Sequence, residues 1–167
     1  MTRAAQLHRL ISEIEERIII LETDAEQNPR TVKVALQRLC DRLEEGKLVR
    51  DAMRLSKNLR SLVWHVDVRV RRWTYKAIAL LKDEANLEVM IARVRSRDTD
   101  PENESWAVAT IFSIASNDKL SELIEKKVLP LSGTSLIAGG LYNRSFLTTV
   151  SRKPKSVNIM RADPLTL

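Results

Sequence analysis

The chain has 167 residues, of which 44% are hydrophobic and 30% charged, a composition that points to a folded globular domain rather than a disordered or membrane-embedded chain. Four Gly and five Pro are too few breakers for a many-stranded β protein, and the single cysteine, Cys40, rules out an internal disulfide framework and suits a reducing, cytoplasmic setting. The net charge of +6 is uneven: residues 1–45 carry −2, residues 46–97 carry +8, residues 98–130 carry −4 and residues 131–167 carry +4.

Apolar residues recur at helical spacing along most of the chain. The N-terminal stretch is not read as a secretory signal, because its longest unbroken apolar run is Ile18 to Leu21 and acids interrupt its surroundings. No window approaches the roughly 20 apolar residues of a membrane span. A first helix places Leu7, Leu10, Ile11, Ile14, Ile18 and Leu21 at steps of three and four, with Thr2 as N-cap and a stop at Asn28-Pro29. Long, amphipathic and ending in acids, it is expected to cap a helical stack or to pair with a partner helix. A second helix uses Val32, Leu36, Leu39, Cys40 and Leu43 and ends at Gly46. A third uses Leu48, Ala52, Met53, Leu55, Leu59 and Leu62.

The segment DVRVRRWTYKAIALLKD, Asp67 to Asp83, predicts a fourth helix capped by Asp67, with Val70, Trp73, Ala77, Ile78 and Leu81 inward. A fifth covers residues 85–95, with Leu87, Met90, Ile91 and Val94 inward. In DTDPENE, Pro101 at a first helical position and the acids around it predict the start of a sixth, carrying Trp106, Ala109, Ile111, Phe112 and Ile114. Asp118 is expected to cap a seventh with Leu120, Leu123 and Ile124. After Pro130, residues 132–142 predict one more apolar helix, in which Gly139-Gly140 permits close packing. The tail is basic and contains Pro, and its closing Asp163-Pro164 has the form of a helix start, so the polypeptide is expected to continue into a further repeat.

The second members of these helix pairs align with one another. WTYKAIALL at Trp73 and WAVATIFSI at Trp106 lie 33 positions apart, pairing Thr74 with Ala107, Ile78 with Ile111 and Leu81 with Ile114. Looser copies stand at TVKVALQRL and SLIAGGLY. Helix pairs with a period in the thirties are the signature of an α-solenoid. The stretch VRRWTYKAIALL resembles the second helix of a HEAT repeat, in which a Val-Arg pair is followed by small and then aliphatic residues. The resemblance covers residues 47–142. It implies an all-α, right-handed α-solenoid of stacked antiparallel helix pairs, with residues 1–46 as capping helices and residues 143–167 as a basic segment or the start of further repeats. It also implies that Asp67 and Arg71 belong to a ladder of hydrogen bonds between repeats, although the 33-residue shift sets Arg71 on Glu104 and does not continue it. Armadillo-like and other helical-pair arrays share this pattern.

Catalytic signals are sparse. His8 and His65 stand at no metal-ligand spacing from Cys40 or from a carboxylate cluster, so no metal is expected. His8 reads as surface, His65 as a cap or surface residue, and Cys40 as a small core side chain. Glu15-Glu16 and Glu44-Glu45 are sequence neighbours and read as solvated faces, not acid–base pairs. No phosphate-binding loop or dinucleotide fingerprint is present, and no cofactor is expected. Asn143-Arg144-Ser145 matches a glycosylation sequon by chance. Trp73 and Trp106 read as repeat-equivalent core, while Trp64 at a helix end is expected to be partly exposed.

The basic belt is the clearest functional signal. Arg50, Arg54, Lys57 and Arg60 step along the third helix opposite its apolar stripe, and Arg69, Arg72 and Lys76 do the same on the fourth. With Asp67 and Arg71 assigned to a cap or ladder, the candidate binding residues are Arg50, Arg54, Lys57, Arg69, Arg72 and Lys76. The leading expectation is a non-catalytic scaffold that binds another protein or another part of its own polypeptide. The alternative is DNA or RNA backbone binding, since neutralised phosphates release counterions. Its enzymatic version, a HEAT-like DNA glycosylase, requires an aromatic-plus-Asp constellation that has no counterpart here.

Overall fold

The structure is a computed structural model that describes residues 2–47 and 49–129. The apolar helix expected at 132–142, the sequon and the basic segment 143–167 lie outside the described residues. Within them the regular structure is all-α: α1 (Arg3–Glu22), α2 (Pro29–Glu44), α3 (Ala52–Leu62), α4 (Val68–Leu81), a short 3₁₀ turn (Glu84–Asn86), α5 (Leu87–Ser96), α6 (Pro101–Ile114) and α7 (Asn117–Glu125).

Side-chain caps set most of the starts. The Thr2 hydroxyl accepts from the Ala5 N–H, Asn28 from Arg30, Asp51 from Arg54, Asp67 from Arg69 and Val70, and Asp100 from Asn103. Each of these oxygens satisfies an N–H that the first helical turn leaves without a partner. α7 starts earlier than expected, because Ser116 is its cap and Asp118 sits in its first turn. α3 starts later than Leu48: Asp51 caps it, so Arg50 belongs to the lead-in and the basic steps along the helix begin at Arg54. The fifth helix is divided, with the 3₁₀ turn preceding α5.

The helices lie in two rows. α2, α4 and α6 pack side by side, with α4 in the middle, while α1 lies against α2 and α3, α3 against α4, and α5 against α6. The 3₁₀ turn joins α3 to α5. α4 and α6 are each 14 residues long, and their Asp67 and Asp100 caps stand at the same 33-residue offset as the two tryptophans. Burial follows that register: Thr74 and Ala107 are buried, as are Ile78 and Ile111. Trp106 is also buried, whereas Trp73 is only half-buried at the edge of the core.

The core runs from Val32, Leu36 and Leu39 on α2 through Leu55, Leu59 and Leu62 on α3 and Val70, Tyr75 and Ile78 on α4 to Met90, Trp106 and Ile111. Each aliphatic side chain so enclosed contributes about 1.5–3 kcal/mol. Cys40 is fully buried among them, and its burial pushes the thiol far above its ordinary range. Several expected stripe residues lie outside the core. Met53 is 85% exposed, because two residues before Leu55 it points to the opposite side of α3; Ala52 is exposed as well, and none of the six α1 stripe residues reaches the core.

Candidate interaction surfaces

Arg71, Arg72 and Lys76 of α4 are engaged by residues of neighbouring elements. Arg71 is buried and forms a fork on Asp98, with Nη2 2.6 Å from Oδ1 and Nε 2.9 Å from Oδ2. Its Nη1 also donates to the carbonyls of His65 and Val66, which closes the α3–α4 turn. Arg93 reaches the same carboxylate at 2.9 Å, and the Tyr75 hydroxyl donates to it at 2.8 Å. Burial alone would raise the Asp98 pKa, but the hydrogen bonds from Arg71 and Arg93, the Asp100 N–H and Tyr75 outweigh it and hold the carboxyl well below its usual range. Burial, reinforced by the Asp98 charge, raises the Tyr75 phenol. Asp98 follows Arg97, whose φ of 58° is unusual for a residue with a side chain and turns the chain out of α5.

Arg71 thus ties α4 to the segment leading into α6, whereas Asp67 caps its own helix and pairs with Arg69 at 3.2 Å. Further bonds run in the same direction. Asn103 donates to the Val68 carbonyl, Thr110 to the Tyr75 carbonyl and Ser113 to the Ala79 carbonyl.

Arg72 and Lys76 of the candidate set both lie against carboxylates. Arg72 donates to Asn103 at 3.0 Å and lies 2.9 Å from Glu102 and 3.5 Å from Asp100. Lys76 is buried, 2.7 Å from Glu44 on α2, with its ammonium 5.1 Å from the centre of the Trp73 ring. α4 is enclosed by α2, α3 and α6, so the side opposite its aliphatic stripe faces another helix rather than solvent. Arg50 pairs with Glu13, and Arg69 with Asp67. Arg54 and Lys57 are exposed, with no ion pair among the described residues. Arg60 donates to Asn86 and to the Ala85 carbonyl, joining α3 to the 3₁₀ turn. Of the six candidates, Arg50, Arg69, Arg72 and Lys76 thus meet carboxylates, and Arg54 and Lys57 stand exposed.

α1 presents the opposite situation. Its second half is anchored by polar contacts that the pattern of apolar residues did not disclose. Glu16, expected on a solvated face, is buried and accepts from the N–H groups of Arg50 at 2.6 Å and Asp51 at 3.1 Å. Arg42 on α2 donates to Ser12 at 2.7 Å and lies 3.7 Å from Glu16. Asn58 donates to the Ile20 carbonyl and the Thr23 hydroxyl. Only Glu16, Ile19 and Ile20 of α1 are buried. Leu7, Leu10, Ile11, Ile14, Ile18 and Leu21 are all exposed, from 41% at Ile18 to 58% at Leu7. Residues 2–10 are exposed without exception, so the first half of the helix projects past the body.

Two open grooves flank the anchored half. One, of about 310 Å³, runs between α1 and α2 past Ile18 and Arg38, and the other, of about 540 Å³, runs between α1 and α3 past Leu21 and Arg54. A second exposed apolar spot lies at the α3–α4 turn, where Trp64 is half-exposed with the Arg93 guanidinium 5.1 Å from its ring centre, beside exposed Val66. His65 Nδ1 accepts from the Asp67 N–H in the same turn.

Among the described residues no group of three or more His, Cys, Asp or Glu could hold a metal ion, and no helix is long and apolar enough to cross a membrane. No protein-family profile, curated protein or solved structure matches the chain.

Proposed function

We propose that the chain is a non-catalytic helical-repeat scaffold, a right-handed HEAT-like α-solenoid, that binds a protein partner through α1. The observation that carries this reading is the row of six large aliphatic side chains left exposed on one helix. Single exposed aliphatics are ordinary, but a contiguous apolar stripe on a projecting helix is the usual form of a helix-recognition surface. The matched caps and burial of α4 and α6 support the repeat assignment. Nucleic-acid binding has less support, since Arg50, Arg69, Arg72 and Lys76 already face carboxylates.

The test places a photo-crosslinking amino acid at Ile14, and in a separate variant at Lys57, in the full chain inside cells. The expected result is a discrete protein adduct at position 14 and none at position 57. The reading is overturned if position 14 yields no protein adduct while nucleic acid co-purifies and its salt-sensitive retention is lost in Arg54→Glu/Lys57→Glu.

A further inference from the structure

α1 carries two apolar faces that serve different purposes. Read in heptads, Ala4, Ile11 and Ile18 occupy one seam position and Leu7, Ile14 and Leu21 the other, an uninterrupted a/d pattern over the length of the helix. All six are exposed. The buried residues Glu16, Ile19 and Ile20 fall at f, b and c, on the side of the helix away from this seam. A second helix can therefore lie along the seam, free of the body over residues 4–14 and flanked farther on by the grooves that Arg38 and Arg54 line.

We propose that the occupant is α1 of a second copy of this chain, paired in parallel. The proposal rests on α1 being a protein-binding surface, as above, and adds the identity and orientation of what binds it. The flanking charges favour that partner. Arg3, Leu10 and Arg17 lie on the g edge, and His8, Glu15 and Glu22 on the e edge. A parallel pair brings Arg17 opposite Glu22 of the second copy, twice by symmetry. An antiparallel pair would set the cationic edge against itself and the acidic edge against itself, which is unfavourable. Arg17 is exposed and makes no ion pair among the described residues, and Glu22 meets only Arg38, at a loose 3.6 Å. Isoleucine at two of the three a positions with leucine at two of the three d positions is the arrangement that favours two strands. The projecting residues 2–10 are all exposed, and a free helical end of that length is marginal in water, so pairing would stabilise it. The two bodies would then lie on opposite sides of a two-fold axis running along the helices, the isologous arrangement of a cyclic dimer.

The test begins with the mass of the full chain in solution by light scattering at tens of micromolar. The expected value is twice the 19.1 kDa of one chain, falling to one chain in Ile14→Glu/Ile18→Glu with the helical circular dichroism retained. Should that variant unfold, the surface charges give an independent answer. Arg17→Glu and Glu22→Arg should each weaken the dimer roughly tenfold, and the double reversal should restore it. A short bismaleimide should link two copies of Leu21→Cys, with the buried Cys40 unreactive in the background. A monomer at these concentrations overturns the proposal, whether the seam is open or covered by another protein or by residues 130–167. The protein-binding reading then stands or falls on the identity of the Ile14 adduct. A dimer indifferent to both sets of variants overturns it too, as does cross-linking that requires Ala4→Cys together with Leu21→Cys, which would mark the antiparallel pair.

Discussion

α1 and α4 each carry an apolar stripe, and the structure treats them in opposite ways. α4 lies in the middle of its row, with α2, α3 and α6 around it, and even Arg71 and Lys76 are buried there. α1 lies at the end and has neighbours on one side only, so six aliphatic residues of its stripe stay in water. What separates them is position in the stack. A helix between two others must neutralise its charges internally, and the carboxylates that do so come from the flanking hairpins: Glu44 on one side, Asp98, Asp100 and Glu102 on the other. A helix at the end needs one anchor and can spend its remaining surface on a partner.

The strongest way to break this contrast is to remove the carboxylate that holds the α4 side together. Asp98→Ala leaves the buried Arg71 and the partly buried Arg93 without their shared carboxylate and is expected to destabilise the fold by about 3–5 kcal/mol in chemical denaturation. The pH dependence follows from the same group. Its folded pKa lies below its ordinary value of 3.8, so the unfolded chain binds the proton more readily. Its stabilisation is complete above pH 3.8 and is lost as the pH falls from there towards the depressed folded value. Asp98→Asn should therefore flatten the acid limb of the stability curve. An unchanged acid limb would refute the assignment.

The α1 anchor is expected to matter less. Glu16→Ala removes the acceptor for the Arg50 and Asp51 N–H groups and should cost about 1–3 kcal/mol. Its particular signature is faster amide hydrogen exchange in α1 than in α4, because only the end helix is released. Exchange that rises equally in both would mean that the two regions do not open separately.

Lys76 distinguishes a structural cation from a ligand-binding one. Lys76→Met keeps the apolar stem and removes the charge along with the need to bury it, so the expected stability change is within about 1 kcal/mol. Glu44→Ala leaves the ammonium beside Trp73 without that carboxylate and should cost about 1–3 kcal/mol. If Lys76→Met also abolished a binding activity while stability held, the cation would have a role that its burial does not suggest.

These cases show which parts of the fold were legible in sequence. Among the described residues, period and caps locate the seven α-helices, though not the starts of α3 and α7 or the 3₁₀ turn before α5: Thr2, Asp67 and Pro101 mark starts, and the offset between Trp73 and Trp106 is the offset between α4 and α6. Long-range polar pairing was not legible. Arg71 and Asp98 lie 27 residues apart, and nothing in the spacing of apolar residues distinguishes an arginine that faces a neighbouring helix from one that faces water. The same limit hid Glu16, whose neighbour Glu15 is exposed although the two look equivalent in sequence. It also made Arg72 and Lys76 of α4 look like Arg54 and Lys57 of α3, when the first two meet carboxylates of neighbouring elements and the second two are exposed. For α1, amphipathicity was visible but could not say which of two faces the body would take.

The smallest effect concerns how helices of the inner row end. α2 and α4 close in the same way, with a residue at positive φ and the next N–H reaching back five residues: Gly46 with Lys47 to Arg42, and Lys82 with Asp83 to Ile78. One of these positions is glycine and the other is not. A side chain in the left-handed region costs about 1–2 kcal/mol, partly offset by glycine's larger loss of freedom on folding. Lys82→Gly should therefore stabilise the chain by up to about 1 kcal/mol. Gly46→Ala should cost a similar amount through the backbone alone, since an added Cβ at Gly46 meets nothing within 4 Å. Both changes can be read from thermal melts. If Lys82→Gly destabilised instead, the lysine side chain would have to be contributing contacts worth more than the strain of its backbone, and the end of α4 would join the network that already occupies its other cations.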